Sequence, residues 1–176
     1  PGAANDPCGG VGPGPNAPST AGELVISEFM ANPDQTSDTD GEWFELYNPH
    51  PSKTYDINGC VIKDDDTDSH TIAAPGGRLE IAPGGFLTLA SSQMPGFSPD
   101  YTYTGGWNLT NGGDQIVLDC GGTTVDRVDY ANGPNWGSDP TTAGVAEGVD
   151  PSVLTATDND DAQNWCDQSS SLPNNA

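Results

Sequence analysis

The stretch from Glu23 to Tyr55 constrains the fold more than any other part of this chain. Glu23 to Met30 is a β-rich run, and Asn32-Pro33 ends it. Glu42-Trp43-Phe44-Glu45-Leu46-Tyr47 starts a second run that stops at Asn48-Pro49. In that run Trp43, Glu45 and Tyr47 share one face and Phe44 with Leu46 the other, a period of two that belongs to a sheet. The loop between the runs, Asp34 to Gly41, carries three aspartates. Acidic side chains at Glu28, Asp34, Asp38, Asp40, Glu42 and Glu45 therefore crowd one strand–loop–strand unit. Like charges that close repel unless something positive sits among them.

Turn chemistry punctuates the rest. With 23 Gly and 16 Pro in 176 residues, no window sustains a helical period. Strands are expected at Tyr55 to Lys63, His70 to Ala73, Arg78 to Ile81, Phe86 to Ala90 and Tyr101 to Thr104. Asp114 to Cys120 and Thr123 to Tyr130 flank Gly121-Gly122, a strong two-residue hairpin signal. Beyond Tyr130 no convincing strand is expected. About eight short strands separated by turns read as a β-sandwich. Residues 1–22 read as a Gly/Pro-rich arm or linker, residues 23–136 as the sandwich, and residues 137–176 as an irregular, acidic C-terminal extension packed on it. Trp136 and Trp165 are its expected anchors.

The 26 acidic and 4 basic residues give a net charge of −22, which repels nucleic acid and anionic membranes. No apolar run reaches the ~18 residues of a membrane span. The chain begins at Pro1, which fits a removed signal peptide. Cysteines at 8, 60, 120 and 166 match no zinc spacing and suit disulfides in an oxidising compartment. A secreted or cell-surface protein is the expectation.

With the strands placed, the sequence resembles the lamin tail domain family in its bacterial secreted form. The matching stretches are Leu24 to Pro33, Gly41 to Pro49, Tyr55 to Ile62, Leu79 to Ala90 with Pro83-Gly84-Gly85, and Leu109 to Tyr130. The resemblance implies an immunoglobulin-like sandwich used as a structural or binding module, with no catalytic centre. No heptads and no basic tail are present, which sets the chain apart from the nuclear lamins.

Asp38-x-Asp40-Gly41-Glu42 copies the core of a calcium loop, where alternate oxygens and a sharply turning Gly suit a hard cation. Thr36 and Tyr47 stand where an EF-hand needs Asp and Glu, so an EF-hand is rejected. The expected calcium ligands are Asp34, Asp38, Asp40, Glu42 and Glu28, set against the plainer reading that Asp-rich turns solvate well. Asp64, Asp66 and Asp68 form a second candidate, Asp158 and Asp160 a third. A hydrolase is not expected: Glu42 and Glu45 lie three apart on a strand and face opposite sides. His50 and His70, the two histidines, lie at strand ends. Carbohydrate is the alternative ligand, with Trp107 and Trp136 as loop residues that would stack on sugar rings. Protein partners or calcium-dependent self-association at sheet edges are further expectations.

Four cysteines allow three pairings. Ile116, Leu118 and Cys120 share one strand face, as do Cys60 and Ile62, so both cysteines should point inward. Cys8 and Cys166 lie in irregular terminal segments. The expected pairs are Cys60–Cys120 across the core, as in antibody domains, and Cys8–Cys166 tying arm to tail.

Overall fold

Phe44 and Leu46 turn inward and Glu45 outward on a strand near the middle of the larger of two facing sheets. The computed structural model describes residues 13–93, 95–131, 136, 139 and 142–168. Its chain order begins with β1 (Val25–Met30), one helical turn α1 (Asp38–Gly41) and β2 (Trp43–Tyr47). Short strands follow: β3 (Tyr55–Asp56), β4 (Val61–Lys63), β5 (Ser69–Thr71), β6 (Glu80–Ile81), β7 (Phe86–Ala90) and β8 (Tyr101–Thr102). The long hairpin is β9 (Gly113–Cys120) and β10 (Thr123–Ala131), and β11 (Ala146–Val149) and β12 (Trp165–Gln168) close the series.

Six strands make one sheet in the order β12-β11-β1-β2-β7-β8, and four make the other, β10-β9-β4-β5. β3 and β6 pair separately, and only β7 with β8 runs parallel among the described residues. This is an all-β, immunoglobulin-like sandwich. Phe29, Phe44, Leu46, Leu87 and Leu89 meet Ile62, Ile116, Leu118, Val125 and Val128 in its core. Each such side chain contributes about 1.5–3 kcal/mol by leaving water. Trp43 is buried too, but on the outward face, in a smaller cluster with Met30, Ala90, Ala146 and Phe97.

Cys60 and Cys120 are joined, with Cα atoms 4.4 Å apart. Both side chains are buried in the core. The bridge links neighbours within the four-stranded sheet, since β4 pairs with β9 and Val61 stands opposite Asp119. It does not cross between sheets as in antibody domains. Closing a loop of 60 residues, it stabilises by about 2–4 kcal/mol. Cys166 is exposed on β12 without a partner among the described residues, and Cys8 lies outside them.

Three sequence expectations change. Tyr55 to Lys63 is two strands, not one, because Asn58-Gly59 turns between them with Gly59 at φ 85°. Residues 13–22 are docked rather than free: Asn16 O accepts from Asp56 N–H and Val125 O from Gly22 N–H. The extension beyond residue 137 is not wholly irregular, because β11 and β12 continue the larger sheet past β1. A Cβ on Gly148 would stand 2.6 Å from Gln168 Nε2, so this pairing depends on a bare backbone position.

A buried polar knot fastens that extension. A bulge between Ile26 and Glu28 frees Ile26 N–H from the ladder, and Asp126 Oδ2 accepts it at 2.6 Å. Asn159 Nδ2 donates to Asp126 Oδ2 and to Ile26 O, while Asn159 O accepts from Trp165 Nε1 at 2.8 Å. Both sheets and the extension meet there.

Candidate functional site

A cleft lies where α1 meets the loop before β9. Gly41 ends α1 beside Pro33, whose Cβ would stand 2.6 Å from any Cβ placed on Gly41. The chain therefore turns tightly and enters β2 with Glu42 on the same side as Phe44 and Leu46. Period-two alternation thus drives a carboxyl inward, and Glu42 is only 2 % exposed. Burial pushes its pKa up to about 8 against the lowering effect of Leu109 N–H, and the charges of Asp38 and Asp114 add to the rise.

Three carboxylates hold the 107–112 loop. Glu42 Oε2 accepts from Leu109 N–H at 2.9 Å, Asp114 Oδ2 from Thr110 N–H at 2.9 Å, and Asp38 Oδ2 from Asn111 Nδ2 at 3.1 Å. Tyr130 O–H donates to Thr110 O at 3.0 Å. Gly113 lets the loop join β9: it sits at φ 122°, where a Cβ would lie 2.8 Å from Ala131 Cα. The cleft so framed measures about 500 Å³, and Asp38, Thr39, Glu42, Trp107, Asn108 and Asn111 line it.

The expected calcium set is spread apart. Asp38 and Glu42 meet at this cleft, Asp40 Oδ2 accepts from Ser37 Oγ, and Asp34 Oδ1 accepts from Gln35 Nε2. Glu28 lies elsewhere, on the outward face of the larger sheet opposite Glu45. Burial pushes Glu28 up to about 7, helped by the charge of Glu45. Burial likewise holds Glu45 near 7, though Ser27 Oγ donates to it at 2.8 Å. The pair lines a smaller pocket of about 250 Å³ with Phe86, Leu154 and Gln168. Among the described residues no three His, Cys, Asp or Glu side chains gather as a metal site.

The second and third acidic segments both approach a cation that the chain itself supplies. Arg127 donates to both oxygens of Asp65 at 2.8 and 2.7 Å and pairs with Asp129. Arg127 also lies close enough to act on the charge of Asp160. Asp64 Oδ1 accepts from Asp66 N–H, closing a turn, and Asp158 Oδ2 accepts from Thr155 Oγ1. Asp68 contributes its backbone O, which accepts from Asp64 N–H.

Trp107 does not offer its rings to solvent. It is 3 % exposed and packs edge-on against Phe44 and Tyr103, with centroids 5.5 and 5.1 Å away. The loop turns it inward as part of the core, which overturns stacking on a sugar. Trp136 is half-buried against Phe29 and Trp165. Sequence reasoning missed Asn111 in the lining of this cleft and Asp114 as a support of its loop. Glu42 carried the one usable signal, its parity with Phe44.

A family model described as Lamin Tail Domain matches residues 17–132. No curated protein and no solved structure matches the chain.

Proposed function

The chain belongs to the lamin tail domain family, a non-enzymatic, immunoglobulin-like one, and from that premise we propose that it serves as a secreted or cell-surface structural or adhesion module. The observation that carries this reading is the Cys60–Cys120 bridge, because such bonds persist in oxidising compartments and are rare in the cytosol. The high negative charge suits solubility and disfavours nucleic acid. No described helix is long and apolar enough to cross a membrane.

No catalytic role is assigned, since the groups chemistry would need are used in the scaffold. His50 Nδ1 accepts from Ser52 and Lys53 N–H, and His70 Nε2 shares a hydrogen bond with Tyr101 O–H. A Cys8–Cys166 bridge tying arm to tail belongs to the same proposal. Alkylating free thiols at lysis, then mapping peptides without reduction, tests the reading in the producing organism. Protein in the medium or on the surface, with Cys60 and Cys120 protected, is expected. A cytoplasmic protein with both thiols free would overturn it.

We infer that the 34–42 loop holds its shape without calcium, a reading supported by the hydrogen bond that each of its carboxylates accepts. Melting curves in millimolar calcium and in chelator are therefore expected to coincide. A ligand at ~100 times its dissociation constant would add ~2.7 kcal/mol, so a clear rise in calcium would instead establish a calcium-braced loop.

A further inference from the structure

We propose that the cleft between α1 and the 107–112 loop binds a neutral, hydroxyl-rich ligand, the chemistry of a sugar. Four buried side-chain polar atoms among the described residues have no hydrogen-bond partner, and two belong to residues that line this cleft. They are Trp107 Nε1 and Asn111 Oδ1. Such atoms cost free energy unless something pairs with them.

Their kinds select the ligand. The indole N–H only donates and the amide oxygen only accepts. A sugar hydroxyl both donates and accepts, so one ligand class serves both. A metal ion or ammonium would suit Asn111 Oδ1 but confront the indole N–H. Phosphate or sulfate would suit the indole but confront Asp38. Glu42, held near 8 by burial, keeps its proton at neutral pH and adds another group that donates and accepts. Asn111 is set for the task, since its Nδ2 is anchored on Asp38 and its Oδ1 is left over. The cleft of about 500 Å³ lies within the ~300–1,000 Å³ of small-ligand sites. Recognition here runs through the indole edge rather than its face, because the ring packs on Phe44 and Tyr103.

This goes beyond the structural role and does not rest on it: protein found outside the cell with its bridge intact supports that role whatever the cleft binds. The test follows the indole N–H resonances of the four tryptophans in nitrogen-labelled protein, with Trp107→Phe identifying the relevant one. Glucose, galactose, mannose, N-acetylglucosamine, maltose and cellobiose are titrated separately, beside calcium chloride, methylammonium chloride and sodium phosphate. At least one sugar should move the Trp107 resonance saturably. Asn111→Ala should weaken that binding about tenfold, the size of one lost hydrogen bond. No response to any of the six sugars, a response that survives Asn111→Ala unchanged, or saturation by one of the ionic probes instead would each overturn the proposal.

Discussion

Raising the pH from 5 to 8 should lower the melting temperature of this protein by ~10 °C or more, the reverse of what a well-paired acidic surface gives. Burial holds four carboxyls far above their ordinary range: Glu28, Glu45 and Asp126 near 7 and Glu42 near 8. The ordinary values are 4.5 for Glu and 3.8 for Asp. Between those values and 7–8 the folded chain binds more protons than the unfolded one, so stability falls as pH rises through that window. One pKa unit corresponds to ~1.4 kcal/mol, and the four groups together give an effect of several kcal/mol. At ~2–4 °C per kcal/mol for a domain of this size, that is a large shift.

Glu23 works in the other direction. Burial alone would raise it, but Ser19 N–H, Lys53, Tyr55 and Thr20 N–H bring it down to about 2. Its contribution is present above 4.5 and lost as pH falls from there toward 2. Maximum stability is therefore expected between about pH 4 and 5, with losses on both sides. Calorimetric scans from pH 3 to 9 would check this. The Glu28→Gln and Asp126→Asn variants should each flatten the alkaline limb. A melting temperature that holds or climbs from pH 5 to 8 would show these carboxyls ionised and accommodated in the fold.

The same residues show how far the sequence could be read. Alternation around Phe44 and Leu46 gave the inward face of β2, and the Gly121-Gly122 turn gave the β9–β10 hairpin, because side-chain period and turn chemistry are local. The inward direction of Cys60 and Cys120 was legible for the same reason. Their placement within one sheet was not, because strand order is a long-range property. Asp38 and Glu42 looked like cation ligands because spacing reveals proximity among acids but not the donors that come from elsewhere. Those donors arrive from residues 109–111, some seventy positions on. Arg127 is a similar case: a lone cation in a hairpin becomes the partner of Asp65 only through folding. β11 escaped notice because Ala146-Glu147-Gly148-Val149 has too little side-chain pattern to announce a strand.

Trp165→Ala should cost about 3–5 kcal/mol although it lies more than thirty residues beyond the family match. Its indole is 1 % exposed and packs against Phe29 of β1 at 5.2 Å. The N–H donates to Asn159 O, and Asn159 in turn holds Ile26 O and Asp126. Truncation to Ala therefore opens a core cavity and loosens the knot that joins β1 to β10. Trp165→Phe keeps most of the buried surface and loses only the hydrogen bond, so it should cost about 1 kcal/mol plus a small packing term. Trp136→Ala, at a half-buried ring on the same aromatic cluster, should fall well below Trp165→Ala. By the same reasoning residues 17–132 alone should not fold stably, because β1 would lose β11 and Phe29 would lose its cover. Urea unfolding followed by circular dichroism measures all three variants on one scale, free of the tryptophan signal that the substitutions remove. Equal midpoints for Trp165→Ala and Trp136→Ala, or a cooperative transition from residues 17–132 at the full chain's midpoint, would make the extension an appendage instead of part of the core.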